Sequence, residues 1–210
     1  MGLLIKKYVN NDCLLGIWEV KEDYDYLFSK LSLLPEDLKI LNGFQNRFRS
    51  IEWLSVRVLI NEITGKNLSV IYSENRKPLI KDNTYNLSIS HSRDLTSVLL
   101  SEKKKVGIDV EYMSHRISKI ESRFINENEM VTRDISKQKY HLYIHWCAKE
   151  ALYKICGSQD INFKKNLTIE PFEPEEKGCI SGWVKNKYLN EKFQLNYFTI
   201  DNYIIVWTTS

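Results

Sequence analysis

The spacing of apolar residues along this chain changes in the same order twice, and that repetition restricts the fold more than any single motif. Residues 13–20 alternate, with Leu14, Gly16, Trp18 and Val20 on one face, which predicts a strand. A short helix is expected from Asp23 to Leu34, ended by Pro35. Pro35-Glu36-Asp37 then opens another, with proline in the first turn and acids placed to complement the helix dipole. Between Phe44 and Ile63 the residues Phe44, Phe48, Ile51, Leu54, Val58 and Leu59 recur at helical spacing, and Gly65 follows as a terminator. Strand-like runs come next at residues 68–72, 85–90, 96–101 and 106–112.

After the 106–112 run the order recurs. Helical material is expected over residues 117–124 and 127–133, then a long helix from about Lys137 to Cys156 that stops at Gly157. Four strands complete the chain, at 167–172, 179–184, 193–200 and 203–208. No residue-level repeat accompanies this order. The expected fold is therefore α+β, with two pseudo-symmetric halves, residues 1–104 and 105–210, each a long helix packed on a small antiparallel sheet.

The chain of 210 residues can bury a core in both halves. A net charge of +3 is too mild to require a nucleic-acid partner but leaves room for local anion sites. Residues 1–10 lack the apolar stretch of a signal peptide, and no run approaches a membrane span. Cys13, Cys147, Cys156 and Cys179 show no metal-ligand or redox spacing, which fits buried, reduced thiols in a cytoplasmic protein.

Chemistry concentrates in two segments about forty residues apart, Gly107-Ile108-Asp109-Val110-Glu111 and Trp146-Cys147-Ala148-Lys149-Glu150-Ala151-Leu152-Tyr153-Lys154. Alternation in the first puts Asp109 and Glu111 on one face, about 6.6 Å apart along the strand. Like charges so placed repel unless a cation compensates them. In the second, Glu150 and Lys154 are neighbours on a helix face. An isolated pair of that kind is usually a surface ion pair, as is Glu150 with adjacent Lys149. Here the helix is apolar, with Leu142, Tyr143, Trp146, Leu152 and Ile155, so its charges lie near a core. Three carboxylates suit Mg²⁺, and a lysine beside them suits a phosphate bound to that ion.

Other segments offer less by themselves. Asn86-Leu87-Ser88-Ile89-Ser90-His91-Ser92 ends a strand with groups able to bind phosphate oxygens, but no nucleophile elbow surrounds its serines. Asn75-Arg76-Lys77-Pro78 is a basic turn. His141 and His145 stand one helical turn apart without the remainder of a zinc motif, which favours a structural or surface role.

Together, Lys77-Pro78, the Asn86–Ser92 segment, Phe124-Ile125-Asn126-Glu127-Asn128-Glu129 and the two acidic segments resemble, in order, the motifs of 4′-phosphopantetheinyl transferases of the surfactin-synthetase-activating (Sfp) type. The resemblance runs from about Arg47 to Lys154. It implies transfer of the phosphopantetheine arm of coenzyme A to a serine of an acidic apo acyl or peptidyl carrier protein, releasing adenosine 3′,5′-bisphosphate. It also implies a cytoplasmic monomer, with no nucleic-acid or membrane partner and the active site between its halves. Asp109, Glu111 and Glu150 would hold Mg²⁺, or Mn²⁺. Glu150 would accept the serine proton, with Glu127 and Glu129 as alternatives, and Lys154 would stabilise the leaving phosphate. Lys77, Ser90, His91 and, less securely aligned, Lys39 would bind coenzyme A together with Lys154. Arg47, Arg49 and Arg57 are further basic candidates. Two positions depart from the family pattern: Cys147 stands where Ser or Thr is common, and Arg76 where glycine is usual.

Two rival classes share parts of this pattern. A metal-dependent nuclease also combines two acids with a Glu and a Lys, but usually two residues apart on a strand rather than four apart on a helix. A binding domain for a nucleotide or an acidic protein would tolerate loss of Glu150.

Overall fold

The computed structural model describes residues 2–157 and 160–210; Met1, which the N-terminal reading included, lies outside them. The chain divides into two compact units, Met1–Lys103 and Lys104–Ser210. Both are mixed α and β with antiparallel sheets.

The first unit runs β1 (Leu3–Asn10), β2 (Cys13–Glu19), α1 (Tyr24–Ser29), α2 (Pro35–Asn42), α3 (Arg47–Thr64), β3 (Val70–Tyr72), β4 (Pro78–Ile80), β5 (Asn86–Ser92) and β6 (Leu95–Ser101). Its main sheet has the order β1-β2-β6-β5, and β3 pairs with β4 separately. Strand β1 was not expected. Its burial alternates only weakly, and it is held as an edge by a hairpin turn to β2. Helix α3 packs on β2 and β6 and starts where Asn46 accepts the Phe48 N–H at 2.9 Å. It ends at Gly65, whose φ of +68° suits glycine. Trp18, Leu27, Leu54, Leu59, Ile60 and Leu100 are among its buried core residues.

The second unit contains β7 (Val106–Tyr112), a 3₁₀ turn (Ile117–Lys119), α4 (Glu121–Phe124), α5 (Ile135–Cys156), α6 (Phe163–Asn166), β8 (Leu167–Ile169), β9 (Lys177–Lys185), β10 (Asn190–Ile200) and β11 (Tyr203–Thr209). The sheet order is β7-β11-β10-β9-β8. Asp134 caps α5 by accepting the Ser136 N–H at 2.9 Å, and Gly157 ends it at φ +68°. Helix α5 lies against β7 and β11 over a core that includes Phe124, Ile144, Leu152, Leu195 and Val206.

Residues 127–133 do not form the expected helix. Side chains take the backbone donors there: Glu129 Oε2 accepts the Asn126 N–H at 2.8 Å, and Asn126 Oδ1 accepts the Asn128 N–H at 2.9 Å. All four cysteines are free thiols, and Cys179 is exposed rather than buried. Among the described residues, no helix is long and apolar enough to cross a membrane.

Candidate active site

The face of β7 that carries Gly107, Asp109 and Glu111 looks toward α5. Gly107 makes the approach close: a Cβ there would overlap the Ala151 carbonyl oxygen of α5. Lys154, near the end of the helix, can therefore reach the strand. Its ammonium donates to the Ile108 carbonyl at 2.9 Å and to Asp109 Oδ1 at 2.7 Å. Trp146 Nε1 donates to Glu111 Oε1 at 3.3 Å. Cys147, standing where Ser or Thr is common, is buried on α5, and the nearby Asp109 and Glu111 charges act on its thiol.

Asp109 is 4% exposed, and these donors offset the cost of burying its side chain. Glu150 experiences both strand acids. Burial first, then the Asp109 and Glu111 charges, push its carboxyl up to about 7, against the pull of Lys154. Burial and the same two carboxylates also push the Cys147 thiol well up, leaving it an inert, protonated donor.

Asp109, Glu111, Glu150 and Lys154 thus form one electrostatic group. Among the described residues no three His, Cys, Asp or Glu side chains are gathered closely enough to hold a metal ion. The Lys154 ammonium is the cation on Asp109. Three carboxylates, whose mutual repulsion a cation would relieve, are a donor set suited to a hard divalent cation.

The opposite side of α5 carries a network that the sequence did not disclose. Lys149 is not the surface partner of Glu150 but wholly buried. Its ammonium donates to Glu129 Oε2 at 2.7 Å, to the Phe163 carbonyl at 3.1 Å and to the Phe124 carbonyl. Glu129 Oε1 accepts the Ile169 N–H at 2.8 Å and lies 3.6 Å from His145 Nδ1. Burial alone would raise the Glu129 carboxyl, but the contacts from His145, Lys149 and the Asn126 N–H outweigh it and hold the group below the usual range. A carboxylate with both oxygens engaged and no exposure cannot collect a proton from a substrate hydroxyl. Glu129 is therefore a structural anchor and not an alternative base; Glu127 lies on the exposed surface.

The His141 and His145 rings are tilted by 33° with centroids 4.9 Å apart, and Phe172 meets the His141 ring edge-on at 4.4 Å. His141 Nδ1 accepts the Thr132 N–H at 3.1 Å. The neutral ring then carries its proton on Nε2, which removes that nitrogen as a metal ligand. Both rings are buried, which leaves the structural reading rather than the surface one.

In the first unit the four cofactor candidates occupy different settings. Lys77 is exposed at the turn before β4, where Ser73 and Lys77 bond across Arg76, whose φ is +59°. That left-handed backbone explains why glycine suits the position. Lys39 is exposed in the last turn of α2. Ser90 and His91 point to opposite faces of β5. Ser90 is buried, 7% exposed. His91 Nδ1 lies 3.0 Å from Glu52 Oε1 on α3, and Arg49 donates to Glu52 Oε2 at 3.1 Å. Arg57 is a core cation, stacked on Trp53 and donating to the Trp53 and Val70 carbonyls. It is not placed for a ligand. Arg47 is exposed, over the Tyr24 ring.

The family model of the 4′-phosphopantetheinyl transferase superfamily matches residues 105–207, nearly the whole second unit, including β7 and α5. The match supports transferase chemistry with phosphopantetheine as the transferred group. No curated protein matches the chain.

Proposed function

We propose that the protein transfers the 4′-phosphopantetheine arm of coenzyme A to a serine hydroxyl of an apo carrier protein, in the manner of the Sfp-type members of the matched superfamily. The observation that carries this reading is the convergence of Asp109, Glu111, Glu150 and Lys154 on the facing surfaces of β7 and α5, inside the matched segment. Asp109, Glu111 and Glu150 would hold Mg²⁺, or Mn²⁺. When bound, that ion supplies positive charge to the pyrophosphate of coenzyme A.

The serine oxygen bonds to the phosphorus that carries the pantetheine arm, and the anhydride bond to that phosphorus breaks. The electron pair and bridging oxygen leave with adenosine 3′,5′-bisphosphate. Glu150 receives the serine proton, and a carboxyl near 7 suits a base working at neutral pH. The Lys154 ammonium faces the charge developing on the leaving phosphate. Lys77, His91 and Lys39 are the first unit's side-chain contacts to coenzyme A; Ser90, being buried, contributes through its backbone. The acidic carrier is attracted by a mildly basic enzyme acting as a cytoplasmic monomer.

Release of adenosine 3′,5′-bisphosphate, followed by chromatography with coenzyme A, Mg²⁺ and a panel of apo carriers, tests the reaction. Release should depend on a carrier serine. Release that persists when that serine is replaced by alanine would mean hydrolysis of coenzyme A, not transfer.

A further inference from the structure

Helix α5 meets β7 along one stripe. Trp146, Glu150 and Lys154 stand four residues apart in turn, so they share a face of the helix. The two elements run in opposite directions: Lys154, near the helix end, reaches Asp109, and Trp146, about two turns earlier, reaches Glu111. Each strand acid thus accepts a hydrogen bond from its own residue of α5, with Glu150 between the two donors on the stripe. The donors differ in charge. Lys154 brings a cation to Asp109, whereas Trp146 brings the neutral N–H of an indole, 3.3 Å from Glu111 Oε1.

The indole takes its orientation from its neighbours as well as from the glutamate. Phe124 of α4, wholly buried, meets the Trp146 ring edge-on with centroids 5.2 Å apart. Phe163 of α6 lies against the same ring at 5.5 Å and is itself packed on Tyr153 at 5.5 Å. Rings from α4, α5 and α6 therefore set the direction in which the N–H points.

We propose that Trp146 is a positioning residue for the divalent cation, acting through Glu111. The inference rests on the reading of Asp109, Glu111 and Glu150 as the carboxylates that hold Mg²⁺. A glutamate loses the freedom of several side-chain torsions when it is fixed. Because the Trp146 N–H already restrains the Glu111 carboxylate, less of that loss falls on cation binding. A neutral donor does this without adding a positive charge, which in a lysine at the same place would repel the ion. Trp146 thus acts on the cation without touching it.

The test measures the Mn²⁺ affinity of the full-length protein by electron paramagnetic resonance, with Mg²⁺ as competitor, in wild type, Trp146→Phe, Glu111→Gln and the double variant. Trp146→Phe keeps an aromatic ring against Phe124 and Phe163 and removes the N–H. Wild type should bind one Mn²⁺ that Mg²⁺ displaces. Trp146→Phe should weaken that binding about tenfold. It should have no further effect in the Glu111→Gln background, because the two residues act through one contact. An affinity that is unchanged or increased in Trp146→Phe, or a loss that is equal in both backgrounds, overturns the role of Trp146 and leaves the function reading intact. Wild type that binds no Mn²⁺ overturns the reading of the three acids as a metal site, and the role of Trp146 with it. A second measurement needs no variant: the Trp146 indole N–H resonance, followed by nitrogen-15 NMR, should move as Mg²⁺ is added to wild type. A resonance that stays fixed at saturating Mg²⁺ contradicts the proposal.

Discussion

Glu150 is the residue on which the proposed proton transfer depends. Burial first, then the Asp109 and Glu111 charges, push its carboxyl up to about 7, which suits the role of base proposed for it. Glu150→Gln is expected to abolish transfer while the melting temperature stays within a degree or two of wild type; turnover near the wild-type rate would remove Glu150 from the mechanism. His141 gives a residue-scale prediction of a different kind. Burial first, then the charge of His145, lower it from its ordinary 6.5 to about 4. The unfolded chain therefore binds this proton before the folded one does. The contribution is whole above pH 6.5, and falls by about 3 kcal/mol as pH drops toward 4. Urea melts across that range should show the slope, and His141→Phe should flatten it. At Arg76 the left-handed backbone is occupied by a residue with a Cβ. Arg76→Gly should gain about 0.5 kcal/mol, relief of strain less the extra freedom of glycine in the unfolded chain. A loss in urea midpoint would show instead that the Arg76 side chain holds the turn.

At the scale of elements, the approach of α5 to β7 creates the site, and Gly107 permits it. Gly107→Ala must push the helix from the strand or distort the Ala151 carbonyl. A cost of about 3 kcal/mol is expected, with loss of transfer even where the variant folds. The opposite side of α5 is fixed by Lys149 and Glu129, which join the helix to β8 and to the segment after α4. Lys149→Met leaves Glu129 buried and unpaired and should cost about 4 kcal/mol, read from denaturant midpoints; a loss below about 1 kcal/mol would place the pair in contact with water. The strand at 106–112 and the helix ending at Gly157 were legible because each has a clean period and, for the helix, a glycine stop. Strand β1 was not, since its edge position leaves Lys6 and Lys7 exposed and blurs the alternation. The role of Lys149 was hidden for a similar reason. Its acidic partner on the sequence was its neighbour Glu150, whereas its partner in space is Glu129, twenty residues away. Periodicity reports faces of one element and carries no information on which irregular segment covers them.

At the scale of the whole molecule, each unit sets a long helix on an antiparallel sheet, α3 on β2 and β6, α5 on β7 and β11. The order of elements was enough to foresee this architecture, because hydrophobic period alone decides which segments must share a buried face. The strand and helix that carry Asp109, Glu111 and Glu150 were equally legible, since both are regular elements of the matched second unit. The proposed coenzyme A contacts have no such support, because Lys77 and Lys39 sit on a turn and a short helix, where spacing does not define a face. The central claim is group transfer to a carrier protein, and mass spectrometry of the carrier addresses it most directly. Incubation of the protein with coenzyme A, Mg²⁺ and apo carriers of fatty-acid, polyketide and peptide type should add about 340 Da, one phosphopantetheine arm, to the acceptor serine of at least one of them. Carriers that all retain their apo mass, while a known transferase modifies them in parallel, would contradict the account.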